Sequence, residues 1–303
     1  MIHKNCIYKN SDYQENNNVG ELAQTLLSNE SSRSLRKINS DDKIFASEAF
    51  LKDAVRYSLL IFIKDDAELY SNGTNILVAR SNENTPIRIW TDEPLWNNEY
   101  QDVLAFLNNK MVFNKPVTII CKKELYNIIQ PHFSHKFEET DFLEMESYSC
   151  PEPILKREKI WHLSKAKPED KTIIAQFLSE RDLELRNAQS TLEENLPEAE
   201  SLVRNEKFYV RRDKQDTIVA MGKITRETEY LAAINTVFTD THQRNKGYAG
   251  MLVYEMSNII LENKKLPVLY TDKDYPASNK SYKNVGYQES WSLIECTLSP
   301  REN

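Results

Sequence analysis

The segment Arg244-Asn245-Lys246-Gly247-Tyr248-Ala249 brings together residue types that can hold an anion. It follows the apolar, β-rich residues 232–239 and leads into a helical pattern starting near Met251. Strand, small-residue turn and helix start together present main-chain N–H groups that lack intrahelical partners, at the positive end of a helix dipole. Glycine is chosen where φ is positive or the backbone must come close to something. The chain has only six glycines, and Gly247 and Gly250 both fall at this junction. Arg244 and Lys246 add positive charge. A phosphate or pyrophosphate suits this chemistry. The competing reading is an ordinary strand-to-helix turn whose glycine only permits tight geometry.

The elements that must position this turn follow from hydrophobic periodicity. A strand is expected over 160–163. A helix opens at Pro168-Glu169-Asp170, where a proline and two acids suit a first turn. Another helix covers 193–204, and strands follow at 208–211, 217–225 and 230–239. A helix over 248–261, a strand over 268–271, a short helix over 277–283 and final strands over 287–294 complete the chain. Upstream, the first twenty residues are polar and asparagine-rich, and a helix is expected over 19–28. A longer helix is expected over 47–63, with Phe50, Leu51, Ala54, Val55, Leu59 and Leu60 at helical spacing. Strands at 75–80 and 87–91, a helix over 98–108, a strand over 117–121 and a helix over 123–130 follow. The prolines of Ser149-Cys150-Pro151-Glu152-Pro153 break the pattern. The expectation is therefore an α/β (α+β) chain of two domains, 1–155 and 156–303, with no short internal repeat visible.

Composition narrows the function class. At 303 residues with net charge −7, the chain offers no broad basic face for nucleic acid. No apolar run approaches the roughly 20 residues that cross a bilayer, and the N-terminus lacks an apolar signal core. The four cysteines (Cys6, Cys121, Cys150 and Cys296) are scattered and read as free thiols in a reducing compartment. Five histidines, the closest pair being His132 and His135 around a loop-like Pro131, make a metal site improbable. A cytoplasmic protein without metal, membrane or nucleic-acid partner is expected. Oligomer formation is compatible with the sequence.

The order β-α-α-β-β-β-α-β-α-β with the anion turn after the fourth strand resembles the GNAT (GCN5-related) N-acetyltransferase superfamily. Arg244, Gly247 and Ala249 match its [QR]-x-x-G-x-[GA] turn, and Thr236-Val237-Phe238-Thr239 fit before it. Downstream, Leu269-Tyr270-Thr271-Asp272 and Ser278-Asn279-x-x-Tyr282-x-x-x-Gly286-Tyr287 match a second motif. Together they look most like the FR47-like branch, over residues 158 to 298. The resemblance implies a mixed, mostly antiparallel sheet flanked by helices, with acetyl-CoA as co-substrate. It implies that main-chain atoms of Val237, Phe238 and Thr239 hold the pantetheine arm and thioester, and that residues 244–249 hold the pyrophosphate. Asn279 would contact the coenzyme from the short helix, with Ser278 as a contact or a helix cap. Tyr282 matches the acid that protonates the departing thiolate. A phenol near pKa ~10 is reasonably matched to a thiol near ~8.5. Tyr282 as a mere wall residue is the alternative.

The sequence departs from the family at Tyr275-Pro276, where many members carry Asn-Pro. The base that takes the amine proton is read at Glu229, with Glu227 beside it and a hairpin-surface role as the alternative for both. The first domain reads as a second, degenerate GNAT-like half that walls the acceptor site or sets specificity. Its Trp90, Trp96 and Tyr100 are cleft or core candidates. The expected function is transfer of an acetyl group to a primary amine by direct attack on the thioester. The acceptor is a small molecule or a peptide. A non-catalytic acyl-CoA-binding or scaffolding protein is the runner-up. A nucleotide-binding module ranks last, because the Gly-Lys-Ser/Thr ending of a P-loop is missing.

Overall fold

The computed structural model describes residues 34–92, 95, 97–110, 115–154, 163–186 and 188–301. The polar leader, the helix expected over 19–28, Trp96 and residues 160–162 lie outside the described residues. The first half contains strands β1 (Arg36–Ile38), β2 (Glu68–Ser71), β3 (Ile76–Arg80), β4 (Ile87–Thr91), β5 (Val117–Cys121) and β6 (Phe137–Ser149). Its helices are α1 (Glu48–Lys52), α2 (Ser58–Ile63), α3 (Asn97–Lys110) and α4 (Lys123–Phe133). The second half contains β7 (Leu163–Lys165), β8 (Phe208–Arg212), β9 (Ile218–Glu227), β10 (Leu231–Thr239), β11 (Leu266–Asp272) and β12 (Gln288–Pro300). Its helices are α5 (Lys171–Arg186), α6 (Leu192–Val203), α7 (Tyr248–Glu262) and α8 (Pro276–Val285). Each half runs β-α-α-β-β-β-α-β-α-β, so the fold repeats where the sequence shows no repeat.

The halves share one sheet of order β1-β2-β3-β4-β5-β12-β6-β11-β10-β9-β8-β7. That order is symmetric about the β12–β6 junction. Each half's last strand has crossed to the other side: β6 pairs β11 from Val268↔Ser149 to Asp272↔Met145, and β12 pairs β5 from Ile294↔Cys121 to Leu298↔Val117. Among the described strands only β4–β5 and β10–β11 are parallel, so the sheet is mixed and mostly antiparallel. Helices cover both faces. Phe50 of α1 and Leu60 of α2 pack on one face of the first half, while α3 and α4 bury Val103, Leu107, Leu125 and Ile129 on the other. In the second half α5 and α6 bury Ile174, Phe177, Leu178 and Leu202, and α7 and α8 bury Leu252, Met256, Ile260 and Val285.

Three expectations are corrected. The single helix over 47–63 is two short helices, because residues 53–57 serve long-range contacts. Asp53 meets the Trp90 indole N–H at 3.1 Å and the Lys122 ammonium at 2.8 Å, and Arg56 donates to Ser292 O at 2.9 and 2.6 Å. The thirteen-residue β6 was not anticipated. Residues 138–142 are exposed while Met145–Tyr148 are buried on both faces, so no period-two alternation marks it. The end of the chain is one strand to Pro300, irregular between Glu289 and Ser292.

Candidate functional site

Strands β10 and β11 are paired only at Leu231↔Leu266, Ala232↔Pro267 and Ala233↔Val268. Beyond these residues they diverge. The outer edge of β10 stays on β9 through Asn235↔Lys223, Phe238↔Met221 and Thr239↔Ala220, and β11 stays on β6. Among the described residues, no main-chain partner from β11 fills the wedge beside 235–239. The local cause is a bulge between Asn235 and Phe238. Thr236 takes φ 56° there, and the Asn235 side-chain oxygen accepts the Thr236 N–H at 2.6 Å. An extra residue of this kind bends a strand and leaves backbone groups unpaired. Asp240 N–H donates to Val219 O at 3.0 Å. Alternation therefore aims the main chain of Phe238 at β9, and that of Val237 and Thr239 into the wedge.

The turn stands at the open end of β10. A single 3-10 turn, Thr241–Gln243, is capped by the Asp240 carboxylate, which accepts the His242 N–H at 2.8 Å. Asn245 has φ 62°, and Gly247, at φ 83°, is the N-cap of α7. A side chain at Gly247 would be strained in this left-handed region, which explains the glycine. Asn245, Lys246 and Gly247 are exposed, whereas Tyr248 and Ala249 are half-buried in the first turn of α7. Gly250 lies outside the turn. It lies inside α7 facing α8, where an added Cβ would meet Val285 at 3.6 Å and Ser281 at 3.7 Å, ordinary contact distances. Helix α7 is anchored from below by Glu255. Its carboxylate accepts the Leu163 N–H at 2.7 Å and pairs with the fully buried Arg211 at 3.5 Å.

The polar side chains around the wedge have defined partners. Arg244 gives its fork to Glu184 of α5, with one contact at 2.8 Å, and lies 5.5 Å from the Phe238 ring centroid. The Glu184 carboxylate also accepts the Tyr275 hydroxyl. Its pKa is lowered, first by the Arg244 hydrogen bond, and Arg244 is raised in return. Lys246 donates to Gln243 at 2.6 Å. Asn279, buried in α8, donates to Asp272 O at 3.1 Å and Lys273 O at 3.0 Å. These two bonds tie the helix to the end of β11. Its side-chain oxygen and the Thr239 hydroxyl oxygen are buried without a hydrogen-bond partner.

Tyr282 lies three residues further along α8, buried beside Tyr287 with ring centroids 6.0 Å apart. Burial pushes its pKa up to about 12, against a hydrogen bond with Ser278. Ser278 is thus a partner of Tyr282, and the N-cap of α8 is Tyr275. Glu229 is not brought to this group. It is exposed at the β9–β10 turn, with the whole of β10 between it and residues 244–249, and it hydrogen-bonds Tyr230. Glu227 is held by Lys207 and by Lys265 at 2.6 Å.

The first half repeats the wedge and then fills it. Parallel pairing of β4 and β5 is confined to Ile87↔Ile119 and Arg88↔Ile120. Beyond it, the Tyr57 hydroxyl donates to Ile89 O at 3.1 Å and the Lys122 ammonium to Thr91 O at 2.6 Å. In β4 the chain itself thus satisfies the wedge-facing carbonyls, whereas in β10 the Thr239 carbonyl takes only a long 3.4 Å bond from Arg244 Nε. Trp90, fully buried against Phe50, is a core residue. Residues 55–62 also reach the second half. Val55, Ile61 and Phe62 pack on Leu231, Ala233 and Val268, and the Tyr270 hydroxyl of β11 bonds Arg56 O and Ser58 Oγ. The first half therefore forms a wall beside the β10–β11 pair.

Residues 212–294 match the family described as FR47-like protein. The second half carries an FR47-like domain. Its matched segment includes the wedge, the turn, Asn279 and Tyr282. Solved structures extend the likeness to both halves. An acetyltransferase of the GNAT family from Colwellia psychrerythraea is 13% identical with a TM-score of 0.51, covering 88% of this chain and 100% of that one. A Drosophila protein is 10% identical with a TM-score of 0.60, covering 88% and 99%. A GCN5-related N-acetyltransferase from Sphaerobacter thermophilus is 12% identical with a TM-score of 0.54, covering 88% and 95%. At such identities the likeness is one of fold. A comparison with curated proteins finds no match. Among the described residues, no helix is long and apolar enough to cross a membrane, and no group of three or more His, Cys, Asp or Glu is placed to hold a metal ion.

Sequence reasoning missed Glu184 and the filling of the first wedge by Tyr57 and Lys122. Glu184 lies 60 residues from Arg244, so no local spacing announces the pair. Asn235-Thr236, two polar residues inside an apolar strand, is the signal that marks the bulge.

Proposed function

We propose that the FR47-like domain binds acetyl-CoA in the β10–β11 wedge and transfers its acetyl group to a primary amine. The observation that carries this reading is the wedge itself. Two parallel strands lose each other after three residue pairs and leave the main-chain groups of Val237 and Thr239 without strand partners. Buried backbone polar groups need partners, and the pantetheine arm is a chain of amides of suitable reach. The orphaned Thr239 hydroxyl and Asn279 side-chain oxygen fit the same ligand. The left-handed Gly247 at the start of α7 suits a pyrophosphate, because its missing Cβ and the free N–H groups of the first helical turn favour a close anion.

Acetyl-CoA supplies an activated acetyl group; the chain supplies position and protons. Val237 and Thr239 main-chain groups fix the arm along β10, so the thioester lies near the bulge. Residues 55–62 and Tyr270 cover one face of the β10–β11 pair and would wall the amine's approach on that side. Holding both reactants in this way is worth several orders of magnitude in rate. Tyr282 offers its phenolic proton to the departing sulfur. At a pKa of about 12, full transfer to a thiolate near ~8.5 is uphill by roughly 5 kcal/mol. The phenol thus acts mainly by hydrogen-bonding the sulfur as the bond breaks. Glu229 stands at the closed end of β10, so the amine proton leaves through water. The test is free-thiol release from acetyl-CoA across a panel of small amines, amino acids and peptides. Turnover with at least one amine, reduced 10²-fold or more in Tyr282→Phe with coenzyme affinity kept, supports the reading. Tight binding with no turnover on any amine overturns the enzymatic part.

A further inference from the structure

Glu184 occupies the arginine that the phosphates would use. Both terminal nitrogens of the Arg244 guanidinium are given to its two carboxylate oxygens, and Arg244 Nε faces Thr239 O at 3.4 Å. The planar fork of an arginine matches a carboxylate and a phosphate equally well, and it serves one at a time in this bidentate manner. Glu184 also joins the two lips of the wedge. It comes from α5, which packs on the β8–β10 side, while Tyr275 follows β11 and begins α8. The Glu184–Tyr275 hydrogen bond thus spans the side where β10 and β11 part. Tyr275 is also the position at which the sequence departs from the family pattern.

We propose that Glu184 is a built-in competitor of the coenzyme's phosphates, which must be displaced from Arg244 for the coenzyme to seat fully. The pair is partly exposed, so solvent and salt screen it and an incoming phosphate can reach the guanidinium. The Phe238 ring keeps the guanidinium at the turn when the carboxylate leaves. Exchange of one anion for another then sets affinity, and the site releases product more readily than an unopposed arginine would allow.

This inference rests on the coenzyme reading above, and the test separates the two. Coenzyme A and S-acetylpantetheine, which lacks the pyrophosphate, are titrated into the full chain and into Glu184→Gln, which keeps the shape and loses the charge. Expected are a three- to tenfold tighter Kd for coenzyme A in E184Q, a faster association rate, and an unchanged Kd for S-acetylpantetheine. Unchanged or weaker coenzyme A binding in E184Q, or an equal shift for both ligands, overturns the competitor role while leaving the coenzyme site standing. Wild-type protein that binds neither ligand takes down both. A melting temperature of E184Q within about 2 °C of wild type shows that an altered Kd does not report a damaged fold.

Discussion

Gly247 and Tyr282 carry the account at the level of single residues, for opposite reasons. Gly247 matters because of what it lacks. At φ 83° an L-side chain is disfavoured by roughly 1–2 kcal/mol. Gly247→Ala is expected to lower stability by about 1 kcal/mol, read from chemical denaturation. Gly247→Glu is expected to abolish coenzyme binding as well, by placing bulk and negative charge at the proposed phosphate turn. Tyr282 matters because of what surrounds it: burial raises its pKa, so it stays protonated across the physiological range. Tyr282→Phe should therefore give a flat loss of turnover between pH 6 and 9, with no new inflection in the pH–rate profile. The sequence singles out both residues, since each sits in a short motif of fixed spacing. It does not single out Glu184, because its role comes from a partner brought 60 residues along the chain by the fold.

Elements decide whether these residues meet. The wedge needs β10 to bend, and α7 to hold the turn at its open end. Arg211 is fully buried, and its ion pair with Glu255 anchors the underside of α7. Removing one partner of a buried pair leaves an uncompensated charge. Glu255→Gln is expected to cost about 3 kcal/mol in thermal or chemical unfolding, with coenzyme affinity reduced because α7 is loosened. A smaller loss than 1 kcal/mol would show that α7 is held by its apolar face alone. Most elements of the second half were readable because β8, β9 and β10 are short apolar runs, buried almost throughout and set between turn residues. The helix expected over 47–63 was misread for a physical reason: its apolar spacing is helical, yet Asp53, Arg56 and Tyr57 are drawn out of the helix by Lys122, Ser292 and Ile89. Strand β6 was hidden because its first part is an exposed, mostly polar run and its buried end carries the polar Glu146 and Ser147.

The whole molecule is two copies of one plan sharing a sheet, in which β6 and β12 have changed places. One copy keeps an open wedge, while the other closes its wedge with Tyr57 and Lys122 and lends residues 55–62 as a wall. Residues 156–303 expressed alone lack β6 beside β11, and are expected to be insoluble or molten; co-expression with 1–155 should restore a cooperative unfolding transition. A well-folded fragment 156–303 would contradict this exchange-based view of stability. Glu144 of β6 ties the halves together through Lys273 at 2.7 Å and Ser292 Oγ at 2.9 Å, and also pairs with Lys123 of its own half at 3.2 Å. The Lys273 hydrogen bond, with help from Ser292 and Lys123, pulls the Glu144 pKa down to about 2 against the effect of burial. A carboxyl group depressed on folding stabilises fully above its ordinary value near ~4.3. That stability is lost as pH falls from there toward 2. Glu144→Gln should therefore lower the melting temperature at pH 7 and lower it much less at pH 2.5, which differential scanning calorimetry can read. The central claim, that the open wedge is a coenzyme site, is tested most directly by calorimetric titration of the full chain with acetyl-CoA. The account predicts saturable binding that disappears in Gly247→Glu, a variant that should otherwise remain folded. No binding by wild type, or equal binding by the folded variant, would contradict it.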